Sequence, residues 1–456
     1  MASGRLVLRG ILGLSVGTIA TRALAAVSQL LLAFWLAPAD FGAWAAATSL
    51  ISLLTGFANF GEVNGYLSGR GGTYERVKRV TRRQNSVLSL LGLGLAATFF
   101  VRGEQEIGWL AVIVTLTIPL VGDAERMYST GVKIRSYRTV VTAQTVAAVV
   151  KICVGVGIAA LGGGSFALAV STLLFYLAMD VFITLAIRNR IEPQETTAYN
   201  VARRDRFKWA VNSLFITLPL QAGFLVAQFV TSAHVLGLYY FAYQVTTGIS
   251  GLISVPLSRV SLARFAELAG PERGKEARKL ATVFGGATLL AASLMALLLP
   301  GITPLVSSQW TEAVPAVVLL CASLPARMMS PVMDALQQAR DRWWQSTGFN
   351  ALDAVGTAAA ALTAVSGDVL LLAASLSIWK ILLSLARTWV VLRDQSVAQR
   401  IGLTVPVSVG AFLVMSSQVL SSDTAVVAST SAGLLSVVWI ASQAGWKRKE
   451  GSANGR

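Results

Sequence analysis

Apolar residues in this chain come in long blocks separated by short polar breaks. About 20 mostly apolar residues are enough helix to cross a hydrocarbon core about 30 Å thick. With that ruler the blocks fall at 10–36, 41–63, 85–101, 107–127, 139–161 and 166–187, and after a polar gap at 209–231, 236–258, 280–299, 313–333, 346–366, 369–392, 401–420 and 424–445. The pattern predicts an all-α polytopic membrane protein with about 14 transmembrane helices and no residues left over for a soluble domain. The shortest separations, Gly162 to Ser165 and Gly367 to Asp368, predict tight turns between antiparallel helices. The first block also fits a secretory leader, because Arg5 and Arg9 precede it and Ala23-Leu24-Ala25 fits a small-residue cleavage site. Arg22 interrupts that run and apolar sequence continues to Leu36, so a retained first helix is expected.

The blocks repeat. A shift of 195 positions lays Phe41-Gly42-Ala43-Trp44 on Leu236-Gly237-Leu238-Tyr239 and matches Gly56 with Gly251. Six helices separate the copies, an even number, so the two halves run parallel about an axis along the membrane normal. The expected organisation is a first lobe over 1–190 (helices 1 to 6), a cytoplasmic linker at 191–208, a second lobe over 209–395 (helices 7 to 12), helices 13 and 14 over 396–446, and a basic tail at 447–456. That is two pseudo-symmetric six-helix lobes with two helices appended.

Composition narrows the function. Of 456 residues 54% are hydrophobic and 13% charged, about half the charged share of a soluble domain, and the mean hydropathy is +0.64. The formal net charge of +16 would suggest nucleic acid in a soluble protein. Here it has a topological reading. With the amino terminus in the cytoplasm, 31 of the 38 basic residues fall in loops and tails on that side, six lie within spans, and Arg102 alone lies outside. This positive-inside bias supports fourteen spans with both termini cytoplasmic and leaves no argument for nucleic acid. The basic loops at 70–83, 188–208 and 259–279 suit anionic membrane lipid. Two cysteines, both in apolar runs, and a single histidine leave no cysteine or histidine metal site, and no cofactor is expected.

Candidate chemistry sits inside the spans. Thr48, Ser52, Thr55 and Asn59 follow at helical spacing along one face of helix 2, and the repeat carries them onto Tyr243, Thr247, Ser250 and Ser254. Matching polar stripes suit the walls of a central cavity. The alternative is that hydroxyls in membrane helices bond back to the backbone or to a neighbour. Helix 1 adds Arg22 and Gln29, spaced by seven. An unpaired guanidinium near the midplane costs at least about 2.5 kcal/mol, so Arg22 needs water, a partner or a substrate. Lys151, on a face with Gln144, and Lys380 lie at similar depth. Arg126, Arg327 and Arg387 are placed nearer the cytoplasmic ends. The alternative for these bases is ion pairing, with Asp353 serving Lys380 or Arg327, and Asp123 or Glu125 serving Arg126. Bases near the midplane favour an anionic substrate, since Arg binds phosphate bidentately whereas a cationic-drug site wants a carboxylate. Among the prolines within spans, Pro119, Pro219, Pro325, Pro331 and Pro406, the preferred hinge is Pro219.

With these features in place the chain resembles a known family. The run Leu36-Ala37-Pro38-Ala39-Asp40-Phe41-Gly42-Ala43-Trp44, after a helix carrying Arg22 and before Asn59-Phe60-Gly61, is similar to the opening of the polysaccharide-transport flippases of the multidrug/oligosaccharidyl-lipid/polysaccharide superfamily. Leu236-Gly237-Leu238-Tyr239-Tyr240-Phe241-Ala242, leading to Pro256, resembles the start of their second lobe. The resemblance implies a V-shaped pair of lobes that alternate access and move an undecaprenyl-pyrophosphate-linked oligosaccharide from the inner to the outer leaflet of a bacterial plasma membrane. It also implies a lipid-tail groove formed by helices 13 and 14, and other polysaccharide-assembly proteins as partners. The chain departs from the lipid II flippase branch, which carries an Arg-Asp pair where Gln29 and its apolar neighbours stand here. On this reading Arg22, helped by Lys151, holds the pyrophosphate and the polar stripes bond sugar hydroxyls, with a coupling ion or the membrane potential as the energy source. A multidrug exporter, a lipid II flippase, a membrane glycan polymerase and a non-transporting assembly scaffold stay open at this point.

Overall fold

The computed structural model describes residues 27–56, 74–134, 136–188, 203–268, 270–302, 307–418 and 422–453, with a few positions between 17 and 25. They are helical almost throughout and contain no strand. We label the helices α1 (Ala23–Ala33), α2 (Pro38–Gly56), α3 (Tyr74–Val101), α4 (Gln105–Lys133), α5 (Tyr137–Ala160), α6 (Phe166–Ile187), α7 (Arg203–Val230), α8 (Ala233–Glu267), α9 (Glu272–Ile302), α10a (Ala313–Ala322), α10b (Leu324–Ala339), α11 (Trp343–Ala361), α12 (Val369–Val391), α13 (Val397–Ser416) and α14 (Ser422–Ala453).

Among the described residues nine helices are long and apolar enough to cross a membrane, and α10a with α10b would make a tenth. The protein is a multi-pass membrane protein, although length and apolarity alone do not reach the expected fourteen. The count covers the described residues alone, and in it α1 and α7 contribute only shorter apolar helices, Ala23–Ala33 and Leu214–Val230. In α2 every residue from Phe41 to Ala47 is buried by protein. Several helices also outrun their apolar blocks. α3 begins at Tyr74, eleven positions before the block at 85–101, and α9 begins at Glu272. Their first turns are rich in Arg, Lys and Glu, which are good helix formers and pair along the surface, as in Lys78 with Glu75 and Lys279 with Glu276.

By packing, the chain divides into two compact units, Met1–Gly237 and Leu238–Arg456. In the first, α2 lies against α4 and α7, while α3, α4, α5 and α6 pack on one another in sequence. In the second, α9 packs on α10b, α13 and α14, and α12 packs on both halves of α10 and on α11. The turn before α12 shows the local logic. Gly367 takes φ 72°, a left-handed conformation that a side chain disfavours, and the Asp368 carboxylate then accepts from the Leu370 N–H at 2.7 Å, capping the helix.

Two close approaches mark the repeat within the first unit. A Cβ on Gly42 would stand 1.8 Å from the carbonyl oxygen of Ala233, and one on Gly237 would stand 1.6 Å from that of Pro38. Gly42 and Gly237 are related by the 195-residue shift, and so are Pro38 and Ala233. The starts of α2 and α8 therefore meet reciprocally through equivalent positions, backbone against backbone.

The marked bend lies in α10. Its two halves diverge by 41° at Ser323, with Pro325 in the first turn of α10b. α7, by contrast, runs as one helix through Pro219. Carbonyls on both sides of the α10 break are met by α12, where Ser377 donates to Leu319 O at 2.8 Å and Ser384 to Ala326 O at 2.5 Å.

Candidate functional site

In the first unit, Gly17 adjoins Val141 and Gly155 adjoins Leu32, so the helix bearing Gln29 runs beside α5. Gln29 and Lys151 accordingly lie at similar depth on neighbouring helices. The Oε1 atoms of Gln29 and Gln144 are buried without a hydrogen-bond partner among the described residues. Half-buried Lys151, at the middle of α5, has no carboxylate within 4.0 Å among the same residues. Arg22 and Asn59 lie outside the described residues.

The stripe residues Thr48, Ser52 and Thr55 are half-buried on α2. The Thr48 hydroxyl donates to Trp44 O at 2.8 Å and that of Thr55 to Ser52 O at 2.8 Å. In the second unit Thr247 donates to Tyr243 O at 2.8 Å and Ser250 to Thr247 O at 3.2 Å on α8. The helix backbone thus takes the hydroxyl protons, as the alternative reading held. Each oxygen keeps lone pairs that can accept from a sugar hydroxyl.

The second unit gathers charge from four helices. Arg327 on α10b lies over the Tyr243 ring of α8, 5.6 Å from its centroid. Nearby, Lys380 on α12 donates to Asp353 on α11 at 2.7 Å, and Thr357 donates to the same carboxylate at 3.3 Å. Asp353 therefore serves Lys380, and no carboxylate lies within 4.0 Å of Arg327 among the described residues. The apolar block that holds Arg327 ends at 333, which sets it nearer the cytoplasmic end of the expected span. The helix continues to Ala339, which sets Arg327 twelve residues, about 18 Å, from the helix end.

For Lys380 the ion pair supplies a prediction. Lys380→Met is expected to lower stability by about 2–3 kcal/mol, because Asp353 is left without its counter-charge. Lys380→Met with Asp353→Leu is expected to recover most of that loss in a thermal or denaturant titration in detergent. A double variant no more stable than Lys380→Met would contradict the pairing as the source.

Two further networks consume bases nearer the helix ends. Arg126 pairs with Asp123 at 2.8 Å and also donates to the Tyr74 hydroxyl. Arg387, 4% exposed, pairs with Asp334 and donates to Gln337 at 2.6 Å and to Ser346 at 3.3 Å. These arrangements fit helix-to-helix fastening. Among the described residues no group of three or more His, Cys, Asp or Glu could hold a metal ion.

The fold and its buried bases define a polytopic helical membrane protein. Residues 31–315 match the polysaccharide biosynthesis protein family, and the chain belongs to that family. No curated protein sequence matches the chain. Among solved structures, a lipid II flippase, MurJ, in an inward closed conformation is similar with a TM-score of 0.68 at 12% identity, over 96% of this chain and 99% of that one. A MATE transporter in complex with MaL6 is similar with a TM-score of 0.57 at 12% identity, over 85% and 97%. A MOP superfamily transporter from Pyrococcus furiosus gives a TM-score of 0.57 at 14% identity, over 86% and 96%. These likenesses establish the MurJ/MATE-like fold.

Proposed function

We propose that the chain is a flippase that moves a lipid-linked, anionic glycan across a bacterial plasma membrane by alternating access of its two repeats, with both termini in the cytoplasm. The observation that carries this reading is electrostatic. Each unit holds a base with no carboxylate within 4.0 Å among the described residues, Lys151 inside α5 in the first and Arg327 just past the α10 break in the second, while Asp123, Asp334 and Asp353 are ion-paired. Bases left over inside a membrane call for an anion, and a polyprenyl pyrophosphate has the charge and the lipid tail to be one. The acceptor oxygens of Thr48, Thr55, Thr247 and Ser250 suit the hydroxyls of the attached sugars. Family membership supports a role in polysaccharide formation, and the fold is one that transporters use. In this reading Arg22 adds positive charge and Gln29 a neutral hydrogen-bonding amide, and the membrane potential or a coupled ion supplies the energy.

The test is translocation in proteoliposomes of a fluorescent polyprenyl-pyrophosphate-linked saccharide, followed by its exposure to an impermeant quencher. Arg327→Ala, and separately Arg22→Ala and Lys151→Ala, are expected to slow translocation about tenfold or more, the value of a lost hydrogen bond to a charged group. Arg327→Lys is expected to keep part of the rate, because the charge remains and the planar fork is lost. A parent chain no faster than empty liposomes would overturn the flippase reading. Full activity in Arg327→Ala would remove that residue from the site.

A further inference from the structure

On the face that the charge count assigns to the exterior, the first unit encloses a recess that no part of the translocation argument uses. It lies where the α3–α4 turn meets the end of α7 and the starts of α2 and α8. Its cavity is about 110 Å³, and Phe99, Arg102, Glu104, Gln228, Phe229 and Thr231 are among its lining residues. That is below the about 300 Å³ at which enclosed small-molecule sites begin, so the recess admits the edge of a single ring through its open mouth and nothing larger.

Its polar groups are unsatisfied in a specific way. Gln228 Oε1 and Thr231 Oγ1 are screened from solvent and have no hydrogen-bond partner among the described residues. The Gln228 amide is oriented by its other end, since Nε2 donates to Leu225 O at 3.3 Å, which leaves the oxygen as a bare acceptor. Buried acceptors without donors are uncommon and call for a missing partner. Arg102, the single base outside, lies over the exposed Phe229 ring at 5.1 Å from its centroid, and no carboxylate lies within 4.0 Å of it among the described residues. The recess therefore combines an acceptor amide, a hydroxyl, a carboxylate, a guanidinium donor and the aromatic rings of Phe99 and Phe229.

We propose that this recess is a binding subsite for one pyranosyl unit of a glycan on the exterior side. A pyranose supplies what each group lacks. Its hydroxyls donate to Gln228 Oε1 and Glu104 and exchange hydrogen bonds with Thr231. Its oxygens accept from Arg102, and its C–H face lies against the negative face of an aromatic ring. A phosphatidylcholine headgroup would suit Arg102 and carries no proton for Gln228 Oε1, whereas a headgroup with hydroxyls carries both, and the phosphatidylglycerol arm of the experiment separates that occupant from a glycan. The inference rests on the flippase reading for the source of the glycan, and it gives the cargo a contact after it has crossed.

The experiment is equilibrium binding to the full chain in phosphatidylcholine nanodiscs, read by saturation-transfer NMR with methyl glucoside, methyl galactoside and methyl glucuronide. Saturation transfer to at least one glycoside is expected, weakened about tenfold in Gln228→Ala and in Arg102→Gln, the loss of one hydrogen bond to a charged or buried group. Arg102 is exposed, so its variant should fold as the parent does, and an unchanged melting curve checks this. No transfer to any of the three glycosides, or transfer unaltered in both variants, would overturn the subsite. So would complete displacement of the glycosides by phosphatidylglycerol in the disc, which would make the occupant a lipid headgroup. Because binding is read without transport, a chain that translocates cargo and fails here loses only the subsite. One that binds glycosides and moves no lipid-linked saccharide loses only the flippase reading.

Discussion

Adding a single methyl group at Gly42 or Gly237 is expected to destabilise the chain by about 3 kcal/mol or more, at the upper end of overpacking penalties. A Cβ at these positions would stand 1.8 Å and 1.6 Å from backbone carbonyl oxygens, far inside the about 3.3 Å at which a carbon and an oxygen come into contact. The obstruction is main chain in both cases, so no side chain can turn aside, and relief requires α2 and α8 to move apart at their starts. Small residues at membrane helix crossings serve this purpose, letting backbones approach where lipid offers no hydrophobic drive. Gly157 and Gly402 are the controls, because a Cβ there meets nothing within 4 Å, and their change to Ala should leave the melting temperature unchanged or raise it slightly. Gly42→Ala or Gly237→Ala melting with the parent in detergent would contradict the crossing.

Removing the Arg387 side chain is expected to cost about 3–5 kcal/mol, the price of breaking a buried ion pair from one side. Arg387 is 4% exposed and joins α12 to Asp334 and Gln337 on α10b and to Ser346 on α11, so Arg387→Ala strands the Asp334 carboxylate among three helices. Replacing both partners, Arg387→Met with Asp334→Leu, should recover more than half of the loss, because a well-packed apolar pair needs no desolvation of charge. Fluorescence-detected unfolding of the three proteins measures it. Equal melting of Arg387→Ala and the parent would mean that Asp334 finds water or another partner.

The sequence made the membrane architecture readable because long apolar blocks report lipid contact directly. The same signal is weakest where helices are surrounded by protein. α2 reads from sequence as the apolar block 41–63, and in the structure its residues Phe41 to Ala47 are covered by neighbours. Apolar blocks do not mark helix ends where polar and charged residues prolong a helix, as at Tyr74 and Ala339. The place of Arg327 over the Tyr243 ring is a contact between distant segments that spacing does not show. The ion pairs followed from the same sequence only as alternatives, since spacing allowed Asp353 to meet either Lys380 or Arg327. The exterior recess left almost no trace, because its walls come from four separate segments. Its sole sequence signal is Arg102, the one base that the expected topology sets apart from the others in the loops.

The break in α10 shows where the shape of a membrane helix is written. At Ser323 the two halves turn by 41°, and carbonyls on either side are met by hydroxyls from α12, Ser377 reaching Leu319 O and Ser384 reaching Ala326 O. Inside hydrocarbon an exposed carbonyl has no solvent to fall back on, and these two hydroxyls supply protons on either side of the break that Pro325 follows. Two serines one heptad apart on a different helix thus fasten both arms of the bend, each from 58 positions further along the chain.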